Sequence, residues 1–352
     1  MAQILLLTAL LQLSAAPPAE LPEVQRAVLA MGTRLELTVA ADSREEALGA
    51  SERALEAIEA VEARISTWRA ASELSQLNRS ATGQAQPLSP ELGAWLARAS
   101  HWREQTARAF DPAVGPLVGA WDLRGSGRRP SPAALELARS AAGEASWSLE
   151  QLPRQITRQH PEARLEEGGF GKGAGLDAAR EALEQAGVRS ARLDLGGQVL
   201  VLGEREETYA VAHPDDRTLP VIALDLSSGS LATSGNSERG LDLSDERLGH
   251  LLDPRTGSPA PDHGSMTVRA TSALDADCLS TAAFVLGPDA ALELVAGLEG
   301  VDLLVLERGD DGQLVARATR GFEDSLTPLT AGLPVRWFPP QPAPEGASTA
   351  HL

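Results

Sequence analysis

RLELTVA, over 34–40, alternates polar and apolar side chains; this puts every second residue on one face and predicts a half-buried strand approached through Met31, Gly32 and Thr33. The period then changes. In SREEALGASERALEAIEAVEARI the apolar residues recur every three or four positions, Ser43 can cap the first turn and Glu46 follows three residues later, so the pattern predicts a helix. The same spacing predicts helices over 89–106 and 131–142. Between them, FDPAVGPLVGAW reads as an irregular loop and 125–130 as a turn, from their prolines and glycines. A helix over 176–186 precedes the short alternating runs ARLDL, VLVLG, TYAVAH and VIALDLSS, whose brief connections predict mostly antiparallel strands. Helices over 275–286 and 290–298 and a strand over 301–306 complete the pattern. No repeat or linker divides the chain, so the order of elements predicts one α+β unit of mixed, largely antiparallel sheet with packed helices.

Both ends depart from this pattern. ILLLTALLQL, over 4–13, is an apolar run of signal-peptide length followed by Ser14, Ala15 and Ala16, and it is too short to span a bilayer as a helix. The expectation is a signal peptide over 1–16, a globular unit over 17–338 and a disordered Pro- and Ala-rich tail over 339–352. Export to the periplasm or beyond the cytoplasm follows from that reading, with no membrane span in the mature chain. No cysteine follows the run, so it is not a lipoprotein signal.

Composition narrows the function. At 352 residues and 43% hydrophobic, the chain can bury a substantial core. A net charge of -18 opposes binding to nucleic acid or anionic lipid, so an anionic ligand needs local positive groups or a metal. The one cysteine, Cys278, excludes an internal disulfide and a cysteine-cluster metal site.

Three stretches carry candidate chemistry. GGFGKGAGLDAAR holds the chain's one lysine, Lys172, in a glycine-rich approach to a helix, read either as a tight turn with no ligand or as a place where backbone N–H groups and the helix dipole meet a phosphate. It is not a Walker A loop, because no Ser or Thr follows the lysine. In TSALDADCLSTAAF, Asp277 and Thr281 are four residues apart and share a helix face, a pair of hard oxygen donors suited to Mg²⁺ or equally a helix-start carboxylate and a back-bonding threonine. HLLDPRTGSP presents His250 before a turn, as a base near neutral pH or as a structural histidine. LATSGNSERG reads as a polar turn or hairpin that can offer Ser234.

In order along the chain, Met31-Gly32-Thr33, STWRAASELSQLN, FDPAVGPLVGAW, GGFGKGAGLD, LDLGGQVLVLG, ATSGNSERG, HLLDPRTGSP and ALDADCLSTAAFVLG resemble the ApbE family, the FAD:protein FMN transferases. The resemblance covers about 28–306. It implies an exported Mg²⁺-dependent enzyme that takes FAD as substrate and transfers FMN to a threonine of an acceptor redox protein, such as a subunit of a membrane electron-transport complex, releasing AMP. Position by position, it implies metal ligands at Asp277, Thr281 and the carbonyl of Gly171, and a base at His250 for the acceptor hydroxyl. Lys172 and Asp177 match a Lys-Gly-x-x-x-Asp element, while Met31, Ser72, Asn78, Asp111, Gly196, Gly197, Ser234, Thr256 and Gly257 fall in blocks that line the flavin and adenylate site. Relatives commonly carry an aromatic after the Ser-Gly pair, where this chain has Asn236 and Ser237. Two alternatives stay open: an FAD pyrophosphatase that releases free FMN and AMP, and a non-catalytic flavin-binding protein. A nicotinamide oxidoreductase using Gly169-x-Gly171-x-x-Ala174 with Asp194 is disfavoured by the missing βαβ context.

Overall fold

Strand neighbours in the main sheet follow the order of the chain. A computed structural model describes residues 21–151, 154–203, 205–236, 240–242, 247–309 and 311–338. The expected signal peptide and tail, and Ser237, lie outside them. Nine strands form the sheet: β1 (Glu23–Ala30), β2 (Thr33–Ala40), β3 (Ser190–Leu195), β4 (Gln198–Gly203), β5 (Gly229–Gly235), β6 (Ser265–Ala270), β7 (Val301–Arg308), β8 (Leu314–Thr319) and β9 (Val335–Phe338). Each pairs antiparallel with the next, except that β8 and β9 are parallel. The expected α+β class is the one observed.

Helices cover one face of this sheet. In chain order they are α1 (Arg44–Ile65), α2 (Glu73–Leu77), α3 (Pro90–Gln105), α4 (Gly115–Ala120), α5 (Pro132–Ala141), α6 (Gly171–Gln185), α7 (Ala273–Leu286) and α8 (Pro288–Ala296). α1 and α6 pack over β1–β4, while α7 and α8 pack over β5–β8. α2–α5 and a small sheet of Ala85–Pro87, Trp147–Gln151 and Arg154–Arg158 occupy the chain between α1 and α6. The opposite face is covered over β4, β5, β7 and β8 by a sheet of Glu207–His213, Asp216–Leu226 and Leu326–Pro328.

This double covering explains the apolar runs. In β7, Leu303 and Val305 join the core under the helices, whereas Leu304 and Leu306 join the core under the small sheet. β4 divides the same way, with Leu200 and Leu202 on the helix side and Val199 and Val201 on the other. A strand buried on both faces loses its alternation and reads as continuous Val and Leu.

Three expectations shift. α6 starts at Gly171 rather than 176. FDPAVGPLVGAW contains α4, whose proline stands in the first turn, where its missing N–H costs nothing. The polar turn expected at LATSGNSERG is mostly β5, an interior strand. Two of its hydroxyls bond within the sheet: Ser230 donates to the Val199 carbonyl at 2.7 Å, and Thr233 pairs with Thr267 at 2.9 Å. Among the described residues, no helix is long and apolar enough to cross a membrane.

The capping box at the start of α1 is present as expected: the Ser43 hydroxyl accepts from the Glu46 N–H and the Glu46 carboxylate from the Ser43 N–H. Ser43→Ala is expected to lower stability by about 1 kcal/mol, read as a shift in denaturation midpoint at unchanged slope. A shift of less than a few tenths would deny the cap its role.

Candidate functional site

α6 and α7 meet at their N-terminal ends, and each supplies a carboxylate to the other. Asp177, on α6, accepts from the Ser272 hydroxyl at 2.7 Å, the Ala273 N–H at 2.8 Å and the Leu274 N–H at 3.0 Å. These amides open α7 and have no partner within that helix. In return Asp277, 3% exposed on α7, accepts from the Gly173 N–H at 3.1 Å and from the Lys172 ammonium at 3.2 Å. The approach is close enough to require glycine. A Cβ on Gly173 would lie 2.4 Å from the Ala273 carbonyl oxygen and 2.5 Å from the Leu274 Cα. This contact explains why a helix begins in a glycine-rich stretch that local propensity disfavours.

One turn along α7, Thr281 faces the glycine approach. A Cβ on Gly169 would lie 3.4 Å from the Thr281 Oγ and 2.9 Å from the Phe110 ring. Gly171, the glycine expected to offer a carbonyl to a metal, opens α6 and has its α-carbon against Ile65 and Glu167, where an added Cβ would lie 3.3 and 3.4 Å away. Thus Lys172 pairs with Asp277, Thr281 stands one turn further along α7, and Gly169 passes beside Thr281. Among the described residues no three His, Cys, Asp or Glu side chains cluster for a metal, so an ion here would rest on one carboxylate and neutral oxygens.

A cleft of about 880 Å³ opens at this junction. Met31, Asp111, Gly171, Lys172, Gly196, His250 and Thr281 line it. His250 follows the short strand Arg247–Gly249 and precedes the hairpin of Leu252–Asp253 and Ser258–Pro259. Gly196 and Gly197, with φ of 60° and 87°, form the two-residue turn between β3 and β4, a geometry that needs positive φ at both positions. The Gly197 N–H donates to Asp194, whose carboxyl burial nonetheless holds above its ordinary range. Asp111 is buried against Arg103 at 2.6 Å and accepts from the Ala113 N–H at 2.8 Å, fixing the loop that carries Phe110.

The other expected residues act in the walls behind the cleft. Ser72 caps α2, accepting from the Ser75 N–H at 3.0 Å and donating to the Ser66 carbonyl at 2.7 Å. Asn78 brackets Leu165 by both its N–H and its carbonyl, at 2.7 and 2.9 Å, and so ties α2 to the glycine approach. Ser234 pairs with Ser280 at 3.0 Å. Thr256 and Gly257 shape the hairpin after His250, and the Gly257 carbonyl accepts from the Trp121 indole at 2.8 Å. Cys278 is fully buried in the core, where it packs with the other apolar residues of α7.

Sequence reasoning passed over Trp68, Arg124 and Glu166. Trp68 is 71% exposed on the cleft, and the Arg124 guanidinium lies 4.7 Å from its ring centroid. Arg124 also donates to Thr67 and Glu166. The neighbouring Glu167 accepts from the Thr67 N–H at 3.0 Å and from its hydroxyl at 2.7 Å. The available signal was a tryptophan inside the polar stretch STWRAASELSQLN, in a chain with only 3% aromatics.

Burial pushes the Glu166 carboxyl from its ordinary 4.5 up to about 7, against the pull of Arg124. Between these two values the folded chain holds a proton that the unfolded chain releases, so stability falls as pH rises from 4.5 to 7. Glu166→Gln is expected to flatten that limb in denaturation midpoints measured across the same interval. An unchanged limb would place the titration elsewhere.

The comparisons with known proteins agree with one another. The model of the ApbE family matches residues 31–305. The FAD:protein FMN transferase of Haemophilus influenzae is 30% identical over 291 residues, 78% of this chain and 83% of that protein. The FAD:protein FMN transferase of Treponema pallidum is 29% identical over 335 residues, 89% of this chain and 91% of that protein. Among solved structures, the ApbE protein of Thermotoga maritima superposes with a TM-score of 0.75 at 26% identity, covering 83% of this chain and 96% of its own. The flavin transferase ApbE of Vibrio cholerae shares the fold with a TM-score of 0.73 at 24% identity, over 87% of this chain and 100% of its own.

Proposed function

Because this chain belongs to the ApbE family and is an enzyme of the FAD:protein FMN transferase class, we propose that it moves FMN from FAD to a threonine hydroxyl of an acceptor redox protein and releases AMP. The observation that carries this reading is that Lys172, Thr281 and His250 all open on one cleft of about 880 Å³. Within the proposal, the cleft takes FAD as substrate. The threonine oxygen attacks the phosphorus of the FMN half, a new O–P bond forms, the bond from that phosphorus to the bridging oxygen breaks, and AMP leaves with the bridging oxygen. His250 takes the threonine proton as a neutral imidazole, help that is typically worth about 10²–10⁴-fold.

Asp277, Thr281 and a backbone carbonyl of the glycine approach form a set of hard oxygen donors that fits Mg²⁺ and leaves further positions for phosphate oxygens. Gly171 is the carbonyl the resemblance implies. When bound, Mg²⁺ supplies neutralisation of the charge on the diphosphate and on the departing phosphate. Lys172 holds a point charge beside Asp277, placed to attract the same phosphates. Export, read from 1–16, belongs to the same proposal.

The test uses the full chain with FAD, Mg²⁺ and a threonine-bearing acceptor. The expected result is an acceptor heavier by one FMN with equimolar AMP; free FMN with an unmodified acceptor overturns the transfer. His250→Ala is expected to keep FAD binding and to lose about 10²–10⁴-fold in transfer rate. An unaltered rate removes His250 from the chemistry. Asp277→Ala is expected to lose Mg²⁺ affinity and turnover together, and a variant that saturates with Mg²⁺ like the wild type rejects Asp277 as a ligand.

A further inference from the structure

β1 and β2 are joined by two residues, Met31 and Gly32, closed by the pairing of Ala30 with Thr33. Both have positive φ, 50° and 73°, the backbone of the mirror-image hairpin turn. Glycine adopts it freely, but a methionine there is strained and persists only where its surroundings hold it. Three contacts do so. The Met31 N–H donates to the Glu62 carboxylate at 2.9 Å. Arg69 reaches the same carboxylate at 3.2 Å and is itself anchored on Glu59 at 2.5 Å. The Met31 sulfur lies over α6 at Gly175, where an added Cβ would come within 2.9 Å of it, with Ile58 and Leu195 close by.

Its own helix gives Glu62 an unfavourable place. It stands in the last turn of α1, where the helix dipole opposes a negative charge, and its side chain is only 15% exposed. Met31, Gly32, Glu62 and Arg69 all line the cleft.

We propose that Glu62 is a positioning residue: held by Arg69, its carboxylate clamps the Met31 amide, keeps the strained turn closed and fixes the Met31 side chain as a wall of the cleft against which the flavin nucleotide binds. The identity of the ligand rests on the transferase reading; the clamp itself does not. Glu62→Ala removes the acceptor and frees the turn. Glu62→Gln keeps an oxygen that can accept from the Met31 N–H.

The test is methionine-methyl NMR on the full chain without ligand, followed by FAD titration. The chain has three methionines, of which Met266 is fully buried and serves as an internal reference for the core. The expected result is a Met31 methyl that moves to a mobile, averaged position in Glu62→Ala and stays in place in Glu62→Gln, with Met266 unmoved. FAD affinity then falls about tenfold in Glu62→Ala and is largely restored in Glu62→Gln. A Met31 methyl unchanged by Glu62→Ala overturns the inference, as does equal disturbance by both variants with Met266 moving too. If the wild type binds no FAD, the transferase reading falls while the methyl spectra still decide the clamp.

Discussion

The cleft depends on the exchange of carboxylates between α6 and α7. Asp177 answers the free amides of one helix start and Asp277 answers an amide of the other, so neither helix can shift without leaving buried donors unpaired. Hydrogen bonds to a charged acceptor contribute about 1.5–3 kcal/mol each, and an orphaned buried partner costs a similar amount. The exchange also couples the two parts of the core on the helix side of the sheet. α6 belongs to the cluster over β1–β4, α7 to the cluster over β5–β7, and Met31 packs against both. Lys172 and Thr281 therefore hold their places because the two helices are pinned at their starts.

Charge around the cleft is balanced locally. Lys172 pairs with Asp277, Arg69 with Glu59 and Glu62, and Arg124 with Glu166. In a chain of net charge -18, these cations give a diphosphate little unshared attraction. An anionic ligand must share them with carboxylates already present, which makes an added cation the natural source of the missing charge. The neutral features fit a different part of a nucleotide. Trp68, stiffened by Arg124 against its ring, and Met31 offer flat and polarisable surface.

What could be read from the sequence was local. Ser43 and Glu46 announced the start of α1 because a capping box lies within four residues, and ARLDL and VLVLG announced their strands by composition. The start of α6 was not readable, since its glycines argue against a helix until α7 lies 2.4 Å from where the Gly173 side chain would begin. β5 was hidden because its serines and threonines find partners in the neighbouring strands and in α7, which only the packed fold brings beside them. The site divided likewise. Lys172, His250, Asp277 and Thr281 were legible as chemistry, and they converge. Ser72, Asn78 and Asp177 were legible as polar residues, but their hydrogen bonds show them bracing helix ends and loops. Trp68, Arg124 and Glu166 have no local pattern; only the meeting of three distant segments brings them together.

Gly171 against Ile65 has a topological consequence. The last residue of α1 touches the first residue of α6, so the chain leaves the layered framework at 66 and returns at 170 within one side chain's reach. Everything between is an insertion of helices and a small sheet, rooted at one point of the framework and packed into the helix-side core. Since closure entropy grows only as the logarithm of loop length, doubling an exposed turn within it, such as 125–130, costs only about 0.6 kcal/mol more. Turns of this kind can be lengthened while the buried residues of the insertion and the register of all nine strands stay as they are, so that the rim of one wall of the cleft is redrawn against an unaltered opposite wall.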